Sequence, residues 1–208
     1  MIRHTPPLSA AVRTQRGVTL IIVMLILVVV TILGIGAAQI ALLGERSTRY
    51  DRDYLVASQA AEAALMDAEF DIRGPNTSSN SRVATFKPEN GGYFIDGCGT
   101  TTATRGLCAP PPDGAKPIWT SVDFLDTSAS AHTVQFGAYT DRYFDNGSSG
   151  IKPAQAPRYI IEMVEDRCIG CNAAGAAAPK LYRVTAIGFG PRTDIQVVMQ
   201  IAFRKEKG

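Results

Sequence analysis

From Gly17 to Gly44 the chain carries no charged side chain, and this run begins directly after Arg16. About 20 apolar residues suffice to cross a bilayer. The apolar residues from Val18 to Ile32 cover every side of a helix, so this segment needs lipid or a fully apolar protein environment all round. Its entry, Arg16-Gly17-Val18-Thr19-Leu20, constrains it further. A secretory signal has a shorter apolar region with its small-residue cleavage site behind it, whereas here the glycine stands in front. Cleavage after Gly17 removes a basic leader and keeps the helix.

Arg3, Arg13 and Arg16 precede the run, while Glu45, Arg46, Arg49, Asp51, Arg52 and Asp53 follow it and cancel. The excess of arginine before the span predicts a cytoplasmic N-terminus and export of everything beyond Gly44. What remains of the 208 residues is enough for one domain of ordinary size. Its 21 basic and 19 acidic residues are nearly balanced and do not cluster. That argues against a nucleic-acid surface.

Past Gly44 the helical pattern continues with no proline until Pro75, and it becomes amphipathic. Tyr54, Ala57, Ala60, Ala61, Ala64, Leu65, Ala68 and Ile72 share one face, with Gln59, Glu62, Met66 and Glu69 opposite. A helix from Val18 to about Ile72 is about 80 Å long. Its second half needs one packed partner close enough to rest on alanine, such as a sheet. Residues 73–117 are rich in Gly, Pro, Ser, Asn and Thr and read as a long loop. Strands are predicted at Trp119–Phe124 and Thr133–Tyr139. Clear alternation marks three more, around Tyr159–Met163, Tyr182–Ala186 and Ile195–Phe203. Gly188–Thr193 reads as the hairpin turn between the last two. The fold class is therefore α+β, a long N-terminal helix on an antiparallel C-terminal sheet.

Export makes disulfides the expected state of Cys98, Cys108, Cys168 and Cys171. Four cysteines allow three pairings, of which Cys98 with Cys108 and Cys168 with Cys171 bracket short loops. Cys168-x-x-Cys171 also has redox and zinc readings. A redox thiolate usually sits at a helix N-terminus, and zinc would need Cys98 and Cys108 as well. A structural role is expected, with no metal and no cofactor. Histidine offers little for catalysis, since His4 lies in the leader and His132 in a loop. Asp141, Asp145, Asn146 and Gly147 lack the spacing of a calcium loop and read as a solvated turn. Asn76-Thr77-Ser78 matches the glycosylation triplet, which is common by chance. There is no phosphate loop and no serine elbow.

A basic leader ending in Gly17, then Val-Thr-Leu, a long helix that turns amphipathic and a C-terminal sheet together resemble the type IV pilin class. Glu45-Arg46, Gln59-Ala60-Ala61-Glu62-Ala63-Ala64-Leu65 and Tyr182-Arg183-Val184-Thr185-Ala186 are similar to the PilX family of minor pilins. The resemblance implies a cleaved leader over 1–17, an apolar transmembrane and assembly helix over 18–44, its amphipathic continuation over 45–72 and an exported domain over 73–208. It also implies cleavage between Gly17 and Val18 and N-methylation of Val18 by a prepilin peptidase. Thr19, Leu20 and Ile22 then belong to the assembly segment. Implied partners are other minor and major pilins, the prepilin peptidase, the inner-membrane assembly platform and a tip adhesin. The chain is expected in the inner membrane first and afterwards in the pilus at the cell surface, as a non-enzymatic subunit serving adhesion or twitching motility. Major pilins carry glutamate at the fifth mature residue, and this chain has Ile22 there. A subunit without that carboxylate suits a position at or near the tip, where assembly begins. Two other readings are a type II secretion pseudopilin of the tip complex and a signal-anchored periplasmic domain with a redox Cys-x-x-Cys.

Overall fold

The computed structural model describes residues 17–144, 150–166 and 179–205. The chain divides into two units, residues 1–49 and 50–208. One helix, α1 (Val18–Arg73), supplies nearly all of the described part of the first unit and the start of the second. It ends where the sequence predicts. Gly74 takes a left-handed conformation at φ 76° and donates its N–H to Phe70 O at 3.0 Å, and Pro75 cannot continue the helix.

Among the described residues of the second unit, five strands form one sheet: β1 (Leu107–Cys108), β2 (Val134–Gln135), β3 (Arg158–Glu165), β4 (Lys180–Phe189) and β5 (Gln196–Phe203). The order is β1-β3-β4-β5, with β2 pairing the same edge of β3 as β1 does. The three long strands are antiparallel to one another, as expected. The sheet as a whole is mixed, because β1 runs parallel to β3. The hairpin turn is shorter than predicted, since Gly188 and Phe189 still belong to β4 and pair with Val197 and Gln196.

Three layers result. On one side α1 lays Ala57, Ala60, Ala61, Ala64, Ala68 and Ile72 against the sheet, all buried. Beneath them lie Tyr159 and Ile161 of β3, Tyr182, Val184 and Ala186 of β4, and Val197 of β5. On the other side Ile160, Ile187 and Phe189 are covered by Cys98, Cys108, Ile118 and Phe124. The long loop is therefore a packed layer, held in part by the Cys98–Cys108 disulfide. Covering both faces explains why β3 is buried through its first six residues rather than on alternate ones. Glu162, expected on a wet face, is buried and held by Arg183 through bonds of 2.6 and 2.9 Å.

Several local expectations fail for physical reasons. Trp119–Phe124 is not a strand: Ile118–Thr120 forms a 3-10 turn after Pro117. The Thr120 and Ser121 hydroxyls bond back to Pro117 O and Ile118 O, which favours a turn over an extended chain. The predicted strand Thr133–Tyr139 shrinks to Val134–Gln135, since Gly137 at φ 82° bends the chain away. Tyr54, assigned to the packed face of α1, is exposed.

Gly188 shows how close the layers come. A Cβ built there would lie 2.0 Å from Ala57 O and 2.3 Å from Ala61 N. The backbone of α1 thus rests on a strand position that only glycine can occupy, and the alanines on either side permit that approach.

Candidate functional site

In the first unit the large apolar side chains of α1 are not buried by any of the described residues. From Val18 to Leu43 the large residues are exposed, Ile22 at 51%. The helix is long and apolar enough to cross a membrane. Thr31 satisfies its hydroxyl locally by donating to Val28 O at 2.8 Å, so this polar group costs little in an apolar surrounding. After Gly44 the surface turns ionic, with Arg49 and Glu45 paired one helical turn apart. At Gly17 a Cβ would meet nothing within 4 Å, and φ is not in the left-handed region, so no contact among the described residues demands glycine there.

The second unit is joined to its stretch of α1 by a buried polar clasp that sequence reasoning missed. Asp71, fully buried, receives Arg82 Nε at 3.0 Å and Nη2 at 2.7 Å, and the Tyr159 hydroxyl at 3.0 Å. Arg82 also donates Nη1 to Arg105 O at 2.7 Å and lies with its guanidinium 3.7 Å from the centre of the Tyr139 ring. One turn earlier, Asp67 accepts the Gly137 N–H at 2.8 Å and the Thr140 hydroxyl. Burial holds the Asp67 carboxyl above its ordinary range despite those two bonds. Burial works against the charge on Arg82, and the adjacent Asp71 outweighs it, leaving the guanidinium pKa raised. The clue in the sequence is position, since Asp67 and Asp71 lie seven residues after Ala60 and Ala64 and so share the packed stripe.

Three tyrosines extend this region and set its alkaline limit. Burial is the first cause of the raised pKa at Tyr139, Tyr159 and Tyr182, and the last is pushed up to about 12. Below pH 10 both folded and unfolded chains keep these protons; above it the unfolded chain loses them first, so the unfolded state binds fewer protons and stability falls. The expected result is cooperative unfolding between about pH 10 and 12 in which these three ionise together with loss of structure. Ultraviolet difference absorbance followed beside circular dichroism checks it. Ionisation of all three with the fold intact would contradict it.

Of the remaining candidates, His132 and Asn76 are engaged in hydrogen bonds within the chain. His132, itself exposed, donates its Nδ1–H to Cys98 O at 2.7 Å. Asn76 is tied down by Tyr139 O and by the Ser78 N–H, which leaves its amide engaged. Asp141 is described, whereas Asp145, Asn146 and Gly147 lie outside the described residues, as do Cys168 and Cys171. Among the described residues no group of His, Cys, Asp and Glu is arranged to hold a metal.

Family comparison addresses both units. The model of the PilX N-terminal region matches residues 16–65, and that of the type IV pilus assembly protein PilX C-terminal region matches residues 75–205. The chain belongs to the PilX family. It is accordingly a minor pilin of a type IV pilus, a structural component that associates with other pilins, and its single apolar N-terminal helix fits a membrane-anchored member of the PilX family. Searches of curated proteins and of solved structures give no match. The N-terminal match begins at Arg16, so the Arg16-Gly17-Val18 junction falls inside the family pattern.

Proposed function

We propose that this chain is a non-enzymatic minor pilin that starts pilus assembly at or near the tip. Residues 1–17 form a leader on the cytoplasmic side of the inner membrane, removed between Gly17 and Val18, after which Val18 is N-methylated. Residues 18–44 hold the precursor in the membrane and then pack, through Thr19, Leu20 and their neighbours, among the helices of other subunits. Lipid and a bundle of apolar helices offer the same solvent, so one surface serves both places without meeting water. Residues 45–72 and 73–208 form the exported head, which carries contacts to other minor pilins and to a tip adhesin, in support of adhesion or twitching motility. The assembly platform and the prepilin peptidase are its partners before incorporation.

The observation that carries the tip assignment is Ile22. A carboxylate there could meet the amino terminus of a neighbouring subunit, whereas an exposed isoleucine offers only apolar contact. A subunit lacking that group is suited to have none above it. Gold labelling of an epitope-tagged chain on sheared fibres tests the placement. Label confined to fibre ends is expected; label spread evenly along them would refute it.

A further inference from the structure

β5 is the last strand of the sheet, and among the described residues no strand pairs with its second edge. The hydrogen-bonding pattern shows which groups that edge offers. Gly190 donates its N–H to Ile195 O at 2.8 Å, one of the two bonds of a hydrogen-bonded pair, while the Ile195 N–H turns to Arg192 O in the hairpin. Such pairs alternate along an antiparallel ladder. In the register of β4 and β5 the next ones are Gly188 with Val197, Ala186 with Met199, Val184 with Ile201 and Tyr182 with Phe203. Val197, Met199, Ile201 and Phe203 therefore point their backbone groups at β4. Gln196, Val198, Gln200 and Ala202 point theirs at the open edge.

Natural edge strands are usually guarded by charge, proline, a bulge or brevity. β5 has none of these: Gln196–Phe203 contains no charged residue and no proline, and its register with β4 runs unbroken from end to end. Val198 and Ile201 are 39% and 43% exposed, so apolar side chains stand on both faces beside the free backbone groups. The loop layer that covers β3 and β4 does not reach Val198.

We propose that the free edge of β5 accepts an extended, uncharged segment of a different polypeptide, another subunit of the fibre, as an added strand. Main-chain bonds supply the affinity in such strand addition, and alternate side chains supply the selectivity. Geometry disfavours a second copy as the occupant. Symmetric antiparallel pairing of β5 with itself needs a two-fold axis normal to the sheet. Residues 57–72 of α1 lie flat on that sheet, so the axis would reverse their direction and the two chains would enter their heads from opposite sides. Subunits anchored by the same segment in one membrane enter from the same side. The partner's identity rests on the pilus reading above; the competence of the edge does not.

The test uses the full chain in detergent and a peptide of alternating valine and threonine with a lysine at each end. Amide hydrogen exchange is followed residue by residue, without peptide and with it at millimolar concentration. Alone, the amides of Val198, Gln200 and Ala202 exchange fast while those of Val197, Met199 and Ile201 are protected. With peptide, the first set is slowed about tenfold or more and the second set is unchanged. Val198→Pro removes one outward N–H without touching the ladder to β4 and abolishes the response, whereas Val198→Thr keeps it. Ala202→Pro serves as the second blocker should the first disturb folding. Outward amides that stay fast with peptide, or that are already protected in the dilute chain, would overturn the proposal. So would protection that grows with protein concentration alongside a dimer in sedimentation, which would assign the edge to a second copy. Labelling that fails to find the chain in fibres would overturn the pilus reading and leave the exchange result standing.

Discussion

Gly188→Ala is expected to destabilise the head by about 3 kcal/mol or more, although it adds a single methyl group. That methyl would have to lie 2.0 Å from Ala57 O and 2.3 Å from Ala61 N, and neither atom is the end of a flexible side chain. Relief requires α1 to lift off β4. Lifting it opens the contacts of Ala57 and Ala61 with Val197 and loosens the alanine seam down to Ile72. Gly190 leaves less room for compensation, because a Cβ there would meet Ile195 at 2.8 Å and Asp53 O at 3.1 Å. Denaturant unfolding of the full chain in detergent, read by near-ultraviolet circular dichroism, measures the effect. A midpoint unchanged from the parent would mean that helix and strand are not in contact there.

Arg82→Met is expected to cost about 3 to 5 kcal/mol, the usual penalty for leaving one partner of a buried ion pair alone. Asp71 is fully buried and would keep only the Tyr159 hydroxyl of its charge-balancing shell. Arg105 O would lose its donor in the same change. The double variant Asp71→Leu with Arg82→Met removes the unpaired buried charge and should recover part of that loss, the remainder being the Tyr159 hydroxyl and Arg105 O left without their partners. A double-mutant cycle separates the pair from its surroundings. If the two single changes were each mild and simply additive, the clasp would not be what fixes the loop after Gly74 to the helix.

The long elements were legible because each rests on many residues that agree. α1 carries an apolar run followed by a stripe of alanine, and alternation runs over five residues in each of β3 and β4 and over nine around β5. Short apolar patches carried no such redundancy. Trp119 and Val122 look like strand residues, yet they pack on the Cys98–Cys108 layer from a turn set by Pro117 and the hydroxyls after it. The sequence places Gly188 in a turn because glycine commonly forms one. Its true role depends on a helix more than a hundred residues away in sequence, which no local pattern can report. Asp67 and Asp71 escaped for a similar reason, since aspartate on a helix is normally taken for solvent-facing until its partners from distant loops are in place. Gly17 differs, since among the described residues nothing crowds a Cβ there, and its reading as a processing site rests on the sequence pattern alone.

Release of the apolar half of α1 for assembly by cleavage after Gly17 is the proposed step on which every later one depends. Mass analysis of the amino-terminal peptide of the chain, purified from membranes that contain an active prepilin peptidase, tests it most directly. The predicted result is a chain that begins at Val18 and carries one methyl group on its amino terminus. A chain that still begins within residues 1–16 would contradict it.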